Sequence, residues 1–107
     1  MTTTLEKVKR LEQYLVISGS NIDPVLDMSI DKLLVRELTR ILGVKTRLFN
    51  QISEFEKLYS MTHADFYQCY KRGEMGDDMD FIEWAATIEM LTHVEKKLEL
   101  LQIGYHL

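Results

Sequence analysis

Residues 66–84 read FYQCYKRGEMGDDMDFIEW, and the two halves of this stretch ask different things of the backbone. Phe66, Tyr67, Cys69 and Tyr70 cluster at helical spacing, and Gly73 stands where a left-handed residue closes a helix. Thr62, with Asp65 three residues on, supplies the matching start: a capping box with aspartate in place of the usual glutamate or glutamine. A short aromatic helix over 62–73 is predicted. Glu74-Met75-Gly76-Asp77-Asp78-Met79 follows as a tight acidic turn over 74–79. Asp80 with Glu83 makes a second capping box, flanked by Met79 and Trp84 at the hydrophobic-staple positions, so the next helix is predicted to open at Asp80. The stretch is therefore a corner, and the chain on both sides of it reads as amphipathic helix.

Beyond the corner, Trp84, Ile88, Leu91, Val94, Leu98 and Leu101 recur about every 3.5 residues, the apolar side of a helix over 80–103 that Gly104 ends. Before it, Asp23-Pro24 is an N-cap followed by proline at the first helical position, where the missing N–H costs nothing. From there to Tyr59 the chain holds no second proline and a single glycine, Gly43. Two heptad columns interleave along it: Leu34, Ile41, Leu48, Phe55, and Leu38, Lys45, Ile52, Tyr59. That is the seam of a coiled coil or helical hairpin, with Lys45 able to lay its stem in the seam and lift its amine out. The long helix over 23–59 and the closing helix are predicted to pack antiparallel. At the amino terminus Leu5, Val8, Leu11 and Leu15 mark a helix to about Ser18, stopped by Gly19, within a 1–22 segment of helix and connector. Tyr14 to Ile17 also suits a strand, but no other strand is there to pair with it. The expectation is all-α: one 1–107 domain built as a long, coiled-coil-like antiparallel hairpin, with a short N-terminal helix and a short aromatic helix between the two long ones.

At 107 residues the chain suffices for one modest core. No run approaches the roughly 18 apolar residues of a membrane span, and charges from Glu6 onward break any signal-peptide core. Cys69 is the sole cysteine, which excludes an intrachain disulfide and suits a reducing, cytoplasmic setting. The net charge of −4 is unevenly placed. Residues 1–50 carry eight Lys/Arg against six Asp/Glu, or +2, whereas residues 51–107 carry five against eleven, or −6. A pI near 5.3 argues against direct nucleic-acid binding as the main role. Lys32, Arg36, Arg40, Lys45 and Arg47 read as the solvated side of a helix. The acidic second half points to a basic partner.

Glu74, Asp77, Asp78, Asp80 and Glu83 are the one dense group of functional side chains. A calcium loop opening at Asp78 would need glycine where Glu83 stands. A helical magnesium site would need a second acidic pair on a facing helix, and Glu54 and Glu56, two apart, point to different sides. His63, His93 and His106 have no spacing for a metal site or a triad, and Cys69 has no activating base in view. No catalytic residue, metal or cofactor is expected. Asp23, Thr62, Asp80 and Glu83 are assigned to helix capping. Glu74, Asp77 and Asp78 are assigned to a partner, with Phe81 and Trp84 either fixing the corner or adding apolar contact. Trp84, Phe81 and Tyr70 are also what a core at helical spacing looks like.

The combined pattern, Asp31-Lys32-Leu33-Leu34, Phe55 to Met61 (FEKLYSM), Phe66-Tyr67, and Gly73 to Trp84 (GEMGDDMDFIEW), resembles a family of small all-helical prokaryotic proteins of cyanobacterial and archaeal type. Leu11, Tyr14-Leu15 and Asp23-Pro24 extend the likeness weakly toward the amino terminus. The resemblance implies an antitoxin-like component of a toxin–antitoxin module, hence a non-enzymatic inhibitor of a small, basic, toxin-like protein. The alternative expectation is a homo-oligomeric helical scaffold or adaptor that dimerises through the heptad seam.

Overall fold

Among the described residues every helix start is written in its side chains, and two of them lie outside the predicted set. In the computed structural model, which describes residues 2–102, Thr3 caps the first helix: its hydroxyl accepts the Glu6 N–H, and the Glu6 carboxylate accepts the Thr3 N–H, both at 3.1 Å. This full capping box satisfies two otherwise orphaned donors at once. Helix α1 runs Thr4–Ser18 and ends as Gly19 donates its N–H to the Leu15 carbonyl. Asp23 caps α2, Pro24–Tyr59, through its Oδ1 on the Val25 N–H and its carbonyl on the Asp27 N–H. Thr62 caps α3, His63–Lys71, by accepting the Asp65 N–H at 3.2 Å. Helix α4 runs Met79–Gln102. Gly104 and His106, the expected terminator and the third histidine, lie outside the described residues. Among those described the fold is all-α, without a strand.

The chain divides into two compact units, Met1–Leu34 and Val35–Leu107. In the first, no described residue is buried; Leu11, Leu15, Leu26 and Ile30 are half-buried. In the second, α2 from Val35 onward and α4 form an antiparallel hairpin: Tyr59 meets Asp80 at one end, and Ile41 shares a surface hollow with Leu101 at the other. The heptad columns point into this hairpin. Leu38, Ile41, Leu48 and Ile52 of α2 are buried together with Trp84, Ala85, Ile88, Leu91, Val94 and Leu98 of α4. Val44, Phe55, Tyr59 and Leu101 pack against them. The seam is thus satisfied within the chain from Leu38 onward, and Lys45 sits in it half-buried. Helix α3 folds across the closed end and buries Phe66.

Candidate partner-binding corner

Phe66 and Trp84 are both fully buried, and their rings stack face to face at 3.9 Å with 5° between planes. Phe55 and Tyr59 from the end of α2 lie over the same indole at 5.6 and 6.0 Å, and Phe81 packs against Tyr59 and Phe66. One ring cluster therefore ties three helices together. Burial of large aromatic faces is among the strongest local stabilisations a small protein has. The stack fixes the indole at some cost: Trp84 Nε1 is buried with no acceptor among the described residues.

Polar links brace the same corner. The Tyr59 hydroxyl donates to the Asp80 carboxylate at 2.5 Å. The acceptor, together with partial burial and the nearby charges of Asp80 and Asp78, holds the phenol neutral and pushes its pKa up to about 12. The Glu56 carboxylate accepts from the His63 backbone N–H at 2.8 Å and meets the His63 ring Nδ1 at 3.0 Å. That backbone donor, helped by the ring, keeps Glu56 below the usual carboxylate range despite its burial. Tyr67 on α3 donates to Glu89 on α4 at 2.9 Å, which raises the Tyr67 pKa.

The backbone between these braces is tightly specified. Helix α3 ends in a Schellman motif, with the Glu74 N–H on the Cys69 carbonyl at 3.0 Å and Gly73 at φ 76°. A side chain at that φ is strained, so glycine is favoured there. Helix α2 ends with the same six-to-one bond, Met61 N–H to Glu56 carbonyl. Here Ser60 takes the left-handed turn at φ 50°, an uncommon conformation for any residue other than glycine.

The cap of α4 is Asp78, which corrects the sequence assignment. Its Oδ1 accepts the Asp80 N–H at 2.9 Å, and its carbonyl accepts the Phe81 and Ile82 N–H groups. The helix opens at Met79, so Asp80 already stands inside it and spends its carboxylate on Tyr59, a tertiary contact that no local pattern encodes. The Asp80–Glu83 box is therefore not formed, and Glu83 is exposed. The staple fails for the same reason, since Met79 is 74% exposed while Trp84 is buried. Of the five residues assigned to a partner, Glu74, Asp77 and Asp78 are exposed, Phe81 is half-buried and Trp84 is buried. Trp84 holds the corner and offers no surface for contact. Arg72, 3.6 Å from Glu74, supplies a local counter-charge, and Lys71 lies over the Tyr67 ring.

Elsewhere the surface carries open hollows. One of about 420 Å³ is lined by Leu42, Lys45, Thr46, Phe49 and Asn50, and another by Leu42, Lys45, Glu95, Leu98, Glu99 and Gln102. Neither sets a nucleophile beside a base. Among the described residues, no three His, Cys, Asp or Glu side chains are grouped to hold a metal ion, and no helix is long and apolar enough to cross a membrane. Cys69 is half-buried, with the Arg72 guanidinium 3.9 Å from its sulfur. No family model, no curated protein and no solved structure matches the chain.

Proposed function

We propose that this chain is a non-enzymatic protein-binding component, an antitoxin-like inhibitor that engages a small basic partner through the acidic corner at residues 74–83. The observation that carries the reading is the placement of Glu74, Asp77, Asp78 and Glu83. All four are exposed, three on a turn and Glu83 in the first turns of α4, where the flanking helices are clamped by the Phe66–Trp84 stack and the Tyr59–Asp80 bond. Carboxylates held on a rigid corner lose little conformational freedom on docking. Their field also steers a cationic surface into register and rejects acidic competitors. The residues that carry the family resemblance, Gly73 to Trp84, fall on this same corner. Its glycine and aromatic positions are those the geometry needs for shape, Asp80 is bonded to Tyr59, and Glu74, Asp77, Asp78 and Glu83 are exposed.

The test is a triple variant, Glu74→Gln with Asp77→Asn and Asp78→Asn, compared with the parent chain for retention of the co-purifying partner. Asparagine caps a helix about as well as aspartate, so the change removes charge and leaves α4 capped. Weaker binding with a shallower salt dependence, at unchanged helicity, supports the proposal. Undiminished binding removes the acidic corner from the mechanism.

A further inference from the structure

We propose that residues 4–34 form a self-association surface, on which a second copy of this chain docks with its α1 against the opening turns of the first copy's α2. This surface is separate from the acidic corner, and the inference does not depend on that reading. Three observations within this segment carry it.

The first is burial. None of the residues from Thr4 to Leu34 is buried, although the segment holds two apolar helical stripes. Leu5, Val8 and Val16 are 55–74% exposed beside half-buried Leu11 and Leu15 on one side of α1. Leu33 and Leu34 are 62% and 37% exposed, continuing the stripe of Leu26 and Ile30 on α2. With Ile22, itself 39% exposed, between the helices, most of these apolar side chains are left open on neighbouring turns, whereas ordinary monomers expose large apolar residues mostly singly.

The second is the contrast within α2. Leu38, Ile41, Leu48 and Ile52 are buried, whereas Leu26, Ile30, Leu33 and Leu34 near the start of the same helix are half-buried or exposed.

The third is charge. Lys7, Lys9 and Arg10 on α1 outnumber Glu6 and Glu12, whereas residues 23–34 carry Asp23, Asp27 and Asp31 against Lys32. None of Lys7, Lys9, Arg10, Asp23, Asp27 or Asp31 enters an ion pair among the described residues. A two-fold arrangement sets each copy's basic α1 along the other's acidic α2 start, so one complementary contact forms twice. Two α1–α2 pairs then close as a four-helix assembly with the leucine and valine stripes inside.

The experiment is sedimentation equilibrium of the full chain over a concentration series, with Val8→Glu, Leu33→Glu and two charge-exchanged chains. One exchanged chain is Lys7→Glu with Lys9→Glu, and the other is Asp27→Lys with Asp31→Lys. The expected result is a species of twice the 12.6 kDa chain mass, weakened at least roughly tenfold by either apolar-to-glutamate change. An unchanged far-ultraviolet circular dichroism signal shows that each variant keeps α1 and the opening turns of α2 helical. Each charge-exchanged chain alone associates poorly, and mixing the two restores the dimer, because both α1–α2 contacts between the copies of the mixed pair are again of opposite sign. A parent chain that stays monomeric throughout overturns the inference. So does a dimer indifferent to Val8→Glu and Leu33→Glu. A dimer weakened by those changes but not rescued by mixing overturns the pairing of α1 with the partner's α2.

Discussion

Replacing Phe66 by alanine tests the mechanical basis of the corner. Its side chain is fully buried, and its ring is the nearest neighbour of Trp84 in the stack, at 3.9 Å. Truncating a fully buried phenylalanine costs about 3–5 kcal/mol in lost transfer and cavity terms. Of that, roughly 0.5–1.5 kcal/mol is the ring–ring geometry itself. A domain of this size is stable by on the order of 5–10 kcal/mol, so the change removes about half of it. At roughly 4–8 °C per kcal/mol, the melting temperature falls by about 12–40 °C. The assay is a thermal melt followed in parallel by far-ultraviolet circular dichroism and by Trp84 emission. The emission shifts to the red in the variant below its midpoint, because the ring that seals the indole is gone. Phe66→Leu keeps most of the volume and loses the stack, and falls between the two. A Phe66→Ala protein less than about 1 kcal/mol weaker than the parent, with unshifted emission, refutes the claim that the stack holds α3 on the hairpin.

Three further outcomes follow from the polar braces. In a spectrophotometric pH titration of the tyrosines, one group ionises only near pH 12, and Tyr59→Phe removes that last step. The raised pKa means that the Tyr59–Asp80 contribution is intact below the phenol's ordinary value near 10 and is lost as pH rises through about 12. Asp78→Ala lowers the stability of α4 by about 1 kcal/mol, as expected of an N-cap, whereas Asp77→Ala stays within about 0.5 kcal/mol; chemical denaturation distinguishes them, and equal losses contradict the assignment of the cap. The Glu56–His63 bond works in the opposite pH direction from Tyr59. Glu56 has a lowered pKa, so its contribution is present above the ordinary glutamate value near 4.3 and is lost as pH falls through the lower folded value. Glu56→Gln flattens the acid limb of the stability curve, and an unchanged limb places the acid sensitivity elsewhere.

What was legible in the sequence were features set by neighbours three or four residues apart. The heptad columns, the Asp23-Pro24 start, the Thr62 cap and the Gly73 stop depend on local spacing, and the structure has them, except that the columns are filled only from Leu38 onward and Leu34 is 37% exposed. The Thr3–Glu6 capping box is equally local and lies at the edge of the apolar stripe that opens at Leu5. The misassigned cap of α4 has a different origin. Asp78 and Asp80 are both suitable caps, and what decides between them is the Tyr59 hydroxyl, 21 residues away from Asp80. Only the antiparallel closure of the hairpin brings it there. Trp84 illustrates the same limit. Its helical spacing suits a core and a recognition patch equally, and the stack on Phe66 from a different helix selects the core. The aromatic positions of the corner are thus structural, as are the Asp78 cap and the Asp80 acceptor, whereas Glu74, Asp77 and Glu83 are exposed.

The measurement to make first is affinity purification of the tagged chain from its native cells, with mass spectrometry of what co-elutes and a salt titration of the retained complex. A single small basic protein at near-equal amount, released as salt rises, is the predicted result, since a contact dominated by exposed carboxylates is screened over a Debye length of about 10 Å at 0.1 M. Retention of nothing but further copies of the chain contradicts the inhibitor proposal and leaves the exposed carboxylates as the cap of α4 and complements to its amino-terminal dipole.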